Sequence, residues 1–267
     1  MSIRRHTLSL SVLAVLCLSV AVTGCAGVEG AAPSSSPSLS PSAQASVTPS
    51  PGATASATAG APGPASTTGA GCAPNDGAIP AGADTATIED VDGDGKPDIQ
   101  YFSETPTFEY GIQTASGATI SLADDLAGPN RHSGWSAPLE NGTVVTVLDD
   151  GRAATLHAFV DCGFVTTSGV DGNPYRFLLN GFGDAGTGVE CSNGNGGRQL
   201  LGVLASRQDS GQYDIAHTVV TVSRDGLLAT NGNASPVASN LASTDQQVVL
   251  AMKSSCVDIP KVQTSGR

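Results

Sequence analysis

Positive charge is what this chain most lacks. Of its 267 residues, 12 are Lys or Arg and 24 are Asp or Glu, giving a formal net charge of −12. Sequence-independent nucleic-acid binding needs clustered cations to displace counterions from phosphates, and electrostatic attachment to anionic lipid needs them too. The balance argues against both. Aromatic residues are 4% of the chain, with one Trp, and there are only four His. No H-E-x-x-H, G-x-S-x-G or phosphate-cradling glycine loop occurs. Charged residues are 13%, well below the roughly 25% of an average globular chain, so part of the sequence is charge-free filler.

Long apolar runs are equally scarce. The one of note, Leu8 to Val22, follows Arg4 and Arg5 and is 15 residues long. That is short for crossing about 30 Å of hydrocarbon, and no charged stop follows it, so residues 1–24 read as a signal peptide. The run ends in Val22-Thr23-Gly24-Cys25, which resembles the lipobox of bacterial lipoproteins. The resemblance implies cleavage before Cys25, thioether lipidation and palmitate-type acylation there, and a membrane partner engaged through that anchor. It places the protein on the outer face of the bacterial cytoplasmic membrane. Without the resemblance, the residues also suit an ordinary secretory signal cut nearby.

Residues 25–71 form the filler. Beyond Cys25 they are nearly all Ala, Ser, Thr, Pro and Gly, with Glu29 as the sole charge. Such a stretch cannot bury enough apolar surface to offset the entropy of ordering, and it is expected to be a disordered stalk, plain or O-glycosylated. The remainder, 72–267, is long enough for one well-packed domain. It holds Cys72, Cys162, Cys191 and Cys256. An even number in an exported chain reads as two disulfides, and no C-x-x-C pair supports zinc. Three connectivities are possible; Cys162–Cys191 with Cys72–Cys256 is the expected one, since the second bridge would staple the ends of the domain.

The domain pattern is β. Strands are expected at Asp98–Glu104, Thr107–Ala115, Gly142–Leu148, Ala153–Asp161, Arg198–Ala205 and Tyr213–Val222, with Asp-Gly turns between apolar runs. Ser243-Thr244-Asp245-Gln246 suggests a capping box before a short C-terminal helix carrying Val248, Val249 and Met252. TVVTVLDDGRAAT (143–155) matches TVVTVSRDGLLAT (218–230) at nine of 13 positions without a gap. EDVDGDGKPDI (89–99) sets its glycines over those of ECSNGNGGRQL (190–200). These matches suggest two diverged copies of one unit, with an insertion near 117–141 in the first, or convergence on hairpin-friendly sequence. The expected fold is an all-β antiparallel sandwich or barrel-like domain of two related halves, with a small β-propeller as the alternative.

Asp90, Asp92, Asp94 and Asp98 stand at positions 1, 3, 5 and 9 of a loop with Gly95 at position 6. Alternate carboxylates can point to one focus, Gly95 allows the sharp turn, and the Lys96 carbonyl can add an oxygen, which is a calcium-ligand pattern. Without a cation such carboxylates repel; the plainer reading is a solvated Asp-Gly turn. The stretch resembles the DxDGDGxxD loops of FG-GAP and VCBS-type repeats, and less closely an EF-hand, from which it departs at Tyr101 in place of the bidentate Glu. The resemblance implies a structural Ca2+ site in an extracellular module, of affinity on the order of 10⁻⁴ to 10⁻³ M. The corresponding positions of the second copy, Cys191, Asn193, Asn195 and Gln199, carry no carboxylate and are expected to hold no ion.

Outside that loop the candidates are few. Arg131, His132 and Trp135 gather in the inserted stretch and would suit ligand contact if exposed, or the core if buried. Glu104, Glu109 and Glu140 offer carboxylate pairs of the sort a hydrolase needs, as any acidic domain does. The sequence therefore predicts a non-enzymatic surface binding or adhesion module with an unknown surface ligand and no nucleic-acid partner. An extracytoplasmic hydrolase with a carboxylate-based site is the alternative.

Overall fold

A computed structural model describes residues 69–105, 108–124, 130–180, 185–194 and 196–266. The expected signal peptide, Cys25 and the stalk as far as residue 68 lie outside them. The fold is nearly all β, in three antiparallel sheets that do not close into a barrel, in keeping with a sandwich.

The first sheet is a meander of β1 (Asp84–Ile88), β2 (Asp98–Ser103), β3 (Glu109–Gln113) and β4 (Thr119–Ala123). The second runs β5 (Ser133–Pro138), β6 (Val144–Asp149), β7 (Ala153–Val160) and β8 (Gly163–Thr166). A short strand, β9 (Arg176–Leu178), also pairs with β7. The third is another meander, β10 (Ala185–Gly194), β11 (Gly197–Arg207), β12 (Tyr213–Val222) and β13 (Ala229–Leu241). After it come α1 (Gln246–Leu250) and β14 (Val262–Gln263), which closes the second sheet against β5. Sheets of unequal strand number do not repeat as propeller blades do.

Both copies of the matched sequence form hairpins. In each, the aspartate of the turn accepts backbone N–H groups: Asp150 Oδ1 from Arg152 and Ala153 at 2.8 Å, and Asp225 Oδ1 from Leu227 at 3.1 Å. Their settings differ. All six residues of β6 are buried, inside a sheet covered on both faces, whereas β13 is an almost wholly exposed edge strand. The polar alternation of Thr143–Val147 is thus overridden by burial. The second match does not carry over. Residues 89–97 form an open loop, but at 190–200 the β10–β11 ladder runs unbroken to Gly194↔Gly197.

One core cluster draws on all three sheets, including Phe102, Tyr110, Trp135, Leu156, Val189 and Leu200. Through it runs a buried polar chain. The Gln100 side-chain oxygen accepts from Tyr110 Oη at 2.7 Å and from the Ser136 N–H at 3.0 Å. Ser136 Oγ lies 2.6 Å from Tyr110 Oη and 2.7 Å from Thr146 Oγ1. These bonds tie the first sheet to the second while leaving no member unpaired. A smaller cluster packs Val248 and Ala251 on Val203, Ala205 and Ile215 of the third sheet. The helix is capped by Asp245, whose carboxylate accepts from the Gln247 N–H at 2.9 Å, and not by Ser243. The Asp245 N–H already closes a turn onto the Ala242 carbonyl, so the helix starts later than the box suggested.

The cysteines form two bridges, with a pairing other than the expected one: Cys72–Cys162 and Cys191–Cys256. The reason is topological. The chain entering β1 crosses near the β7–β8 turn, which carries Cys162. The segment after α1 runs along β10, where Val189 and Ser254 pair in parallel, and brings Cys256 to Cys191.

Candidate metal centre

The acidic loop is the nine-residue connection of the β1–β2 hairpin, closed by the pair Ile88↔Asp98. Ile88 is anchored in the core, so the loop is held at its base. Gly93 and Gly95 both sit at positive φ, 79° and 84°, where a side chain would be strained.

Each aspartate folds the loop around itself. Asp90 accepts the N–H groups of Gly93 at 2.7 Å and Gly95 at 2.8 Å. Asp92 accepts from Cys72 N–H at 2.8 Å, Asp94 N–H at 3.2 Å and Ser116 Oγ at 2.8 Å. Asp98, fully buried, takes the N–H groups of Val91 and Ala115, both at 2.8 Å. These bonds bring carboxylate oxygens of Asp90, Asp92 and Asp98 within 4.8 Å of one another. Asp94 stands apart from that group: it accepts the Lys96 N–H at 2.8 Å and faces Lys96 Nζ at 3.9 Å. The lysine side chain itself is largely exposed.

The electrostatics are uneven. Burial pushes the Asp92 carboxyl up, but Cys72 N–H, the Ser116 hydroxyl, Asp94 N–H and the Thr114 hydroxyl together hold it below the usual range. At Asp98 burial dominates and, with the charges of Asp92 and Asp90, outweighs the two N–H donors, so its carboxyl lies above that range. Next to the loop, Glu89 is kept low chiefly by its hydrogen bonds to Arg198, at 2.7 and 3.0 Å, which tie the loop's first residue to β11. Among the described residues no Lys or Arg pairs with Asp90, Asp92 or Asp98. Three carboxylates with neither imidazole nor thiolate suit a hard, oxygen-seeking divalent cation and not zinc. The oxygens of Asp90 and Asp98 and Asp92 Oδ1 each accept one backbone N–H and keep a second lone pair, while Asp92 Oδ2 already takes both Cys72 N–H and Ser116 Oγ.

The other expected contacts are not gathered into a surface. Trp135 is 0% exposed, and its Nε1 donates to Ser254 Oγ at 3.0 Å. His132 is buried too, paired with Asp124 and stacked beside Phe108. Of the trio only Arg131 is exposed, reaching Gln263 and the Ser265 carbonyl. Trp135, on β5 between β14 and β6, and His132 thus take the core reading, and Arg131 alone faces solvent. Glu104 accepts from Ser265 and Glu140 from Gln199, while Glu109 lies on β3. In the second copy, Cys191 is bridged to Cys256 and Asn193 donates to Asp258; Asn195 lies outside the described residues.

Two contributors had no signal in the sequence. The Cys72 N–H and Ser116 reach Asp92 from 20 and 24 residues away, a proximity that only the fold creates. No protein-family model, curated protein or solved structure matches the chain.

Proposed function

We propose that this is a lipid-anchored extracytoplasmic protein whose β domain holds a structural calcium ion in the Asp90–Asp98 loop and serves as a non-enzymatic surface binding or adhesion module. The single observation that carries the metal is the convergence of Asp90, Asp92 and Asp98 without a cationic side chain among them. Bound calcium would neutralise that charge and fix the loop, with the Lys96 carbonyl as a further oxygen; Asp94 joins as a ligand only if the loop rearranges around the ion. The lipobox-like Val22–Cys25 and the charge-poor stretch after it support anchorage and a tether. Two disulfides are in keeping with an oxidising compartment. The third sheet supports the binding role by offering an open β13 edge and exposed Leu204, Val219 and Val237.

The test is calorimetric titration of calcium into the oxidised chain starting at Ala26, beside its Asp92→Ala and Asp98→Ala variants. Saturable binding that both variants lose is the expected result. Identical heats in all three proteins, or none in the parent, would remove the ion from the account.

A further inference from the structure

The two disulfides differ in their surroundings. Cys191 and Cys256 are both buried in the core, and the strand that carries Cys191 is bonded to the facing segment on either side, Val189 N–H to Lys253 O and Ser255 N–H to Val189 O, each at 2.9 Å. Cys72 is 1% exposed, but its partner Cys162 is an exposed residue at the tip of the β7–β8 hairpin. That hairpin closes at Val160↔Gly163. Its two turn residues, Asp161 and Cys162, both adopt left-handed backbone, φ 49° and 60°. Two-residue turns of this hand favour Asn-Gly because a side chain there is strained. Strain of this kind persists only where surrounding structure enforces it.

On the other side of the bridge lies a strap, residues 69–83, that leads into β1. Beyond the disulfide its bonds to the rest of the fold all lie between Cys72 and Gly77, and they include Ser116 Oγ to the Cys72 carbonyl at 2.7 Å and Thr119 Oγ1 to the Gly77 carbonyl at 3.1 Å. Cys72 N–H reaches Asp92, Asn75 N–H reaches the Gly117 carbonyl at 3.3 Å, and the Asn75 amide spans Thr119. Gly71 packs so closely on the acidic loop that a Cβ there would lie 2.7 Å from Asp92. Residues 73–78 are exposed.

We propose that Cys72–Cys162 is a reducible clasp: it opens ahead of Cys191–Cys256 and, on opening, releases the strap from the β3–β4 hairpin. Exposed or strained bridges are the labile ones. The reductant is a dithiol. Its thiolate attacks Cys162 Sγ, the Cys72 sulfur leaves with the electron pair and takes up a proton, and the second thiol displaces Cys162 from the mixed disulfide. The dithiol ends oxidised and both cysteines end as thiols. Opening lets the 161–162 turn relax and adds the strap to the length of chain preceding β1. The clasp requires no bound metal and stands whether or not calcium occupies the loop.

The experiment titrates the oxidised full chain with dithiothreitol, traps thiols with iodoacetamide, maps them by peptide mass and follows amide exchange. Cys72 and Cys162 should be alkylated at reductant concentrations at least tenfold below those needed for Cys191 and Cys256. Amides of Cys72, Asn75 and Gly77 should then exchange at least tenfold faster, with β10–β12 unchanged. Asp161→Gly, which removes strain from the turn, should raise the reductant concentration needed at the first bridge. Simultaneous opening, the reverse order, unchanged exchange in the strap, or an Asp161→Gly protein that opens as easily as the parent would each overturn the proposal.

Discussion

Gln100 illustrates how a polar residue can hold a core together. Its side chain serves Tyr110, Ser136 and the Pro260 carbonyl at once. Gln100→Leu would leave buried partners without a bond, so a loss of about 2–4 kcal/mol is expected from urea denaturation. Trp135→Ala empties the largest fully buried site and is expected to cost about 3–5 kcal/mol. Tyr101 gives a pH dependence. Burial first, then the Glu109 carboxylate, pushes its phenol up to about 12, against the pull of the Ser121 hydroxyl. The unfolded chain releases that proton near pH 10. Between about pH 10 and 12 the folded state therefore binds more protons, and stability falls as pH rises through that window. Tyr110, also raised by burial, adds to the slope. Urea midpoints from pH 8 to 11 should be flat and then decline, and Tyr101→Phe should flatten the decline. These roles were not legible beforehand: the sequence favours the core for Trp135 over ligand contact, but only its place on an inner strand decides.

At the scale of elements, close approaches matter more than propensity. Gly111 on β3 lies beneath the Tyr101 ring, where an added Cβ would come within 2.3 Å of the ring carbon Cζ. Gly111→Ala must displace that ring, at a cost of about 1–3 kcal/mol, read as a lowered melting temperature. The expected strands at Asp98–Glu104, Ala153–Asp161 and Tyr213–Val222 match β2, β7 and β12 within a residue, because apolar, aromatic and β-branched residues gather there beside Asp-Gly turns. The short strands β4, β5, β9 and β14 are two to six residues long and carry too little pattern to be read, so tertiary pairing defines them. The 190–200 segment fails as a loop for a related reason. With amides in place of carboxylates nothing holds it open, and its backbone completes the ladder instead.

For the whole molecule, bridges and loop act on the same equilibrium. Loss of Cys191–Cys256 through a double Ser substitution is expected to cost about 2–5 kcal/mol, measured as the shift in urea midpoint. If calcium binds as proposed, about 100 times its dissociation constant should stabilise the domain by about 2.7 kcal/mol, and Asp98→Asn should abolish the gain. The acidic focus was readable from spacing because a loop brings its own alternate residues together. The disulfide pairing was not, since it depends on which distant segments the sheets place side by side. One such meeting joins the two ends of the domain: the Gln263 N–H on β14 donates to Asp84 on β1 at 2.9 Å. A circularly permuted chain, with Ser265 linked to Asp84 by a few residues, Cys162→Ser because Cys72 is then absent, and new termini opened at the Asp209–Gly211 turn, should therefore fold to the same sheets, its architecture indifferent to where reading begins.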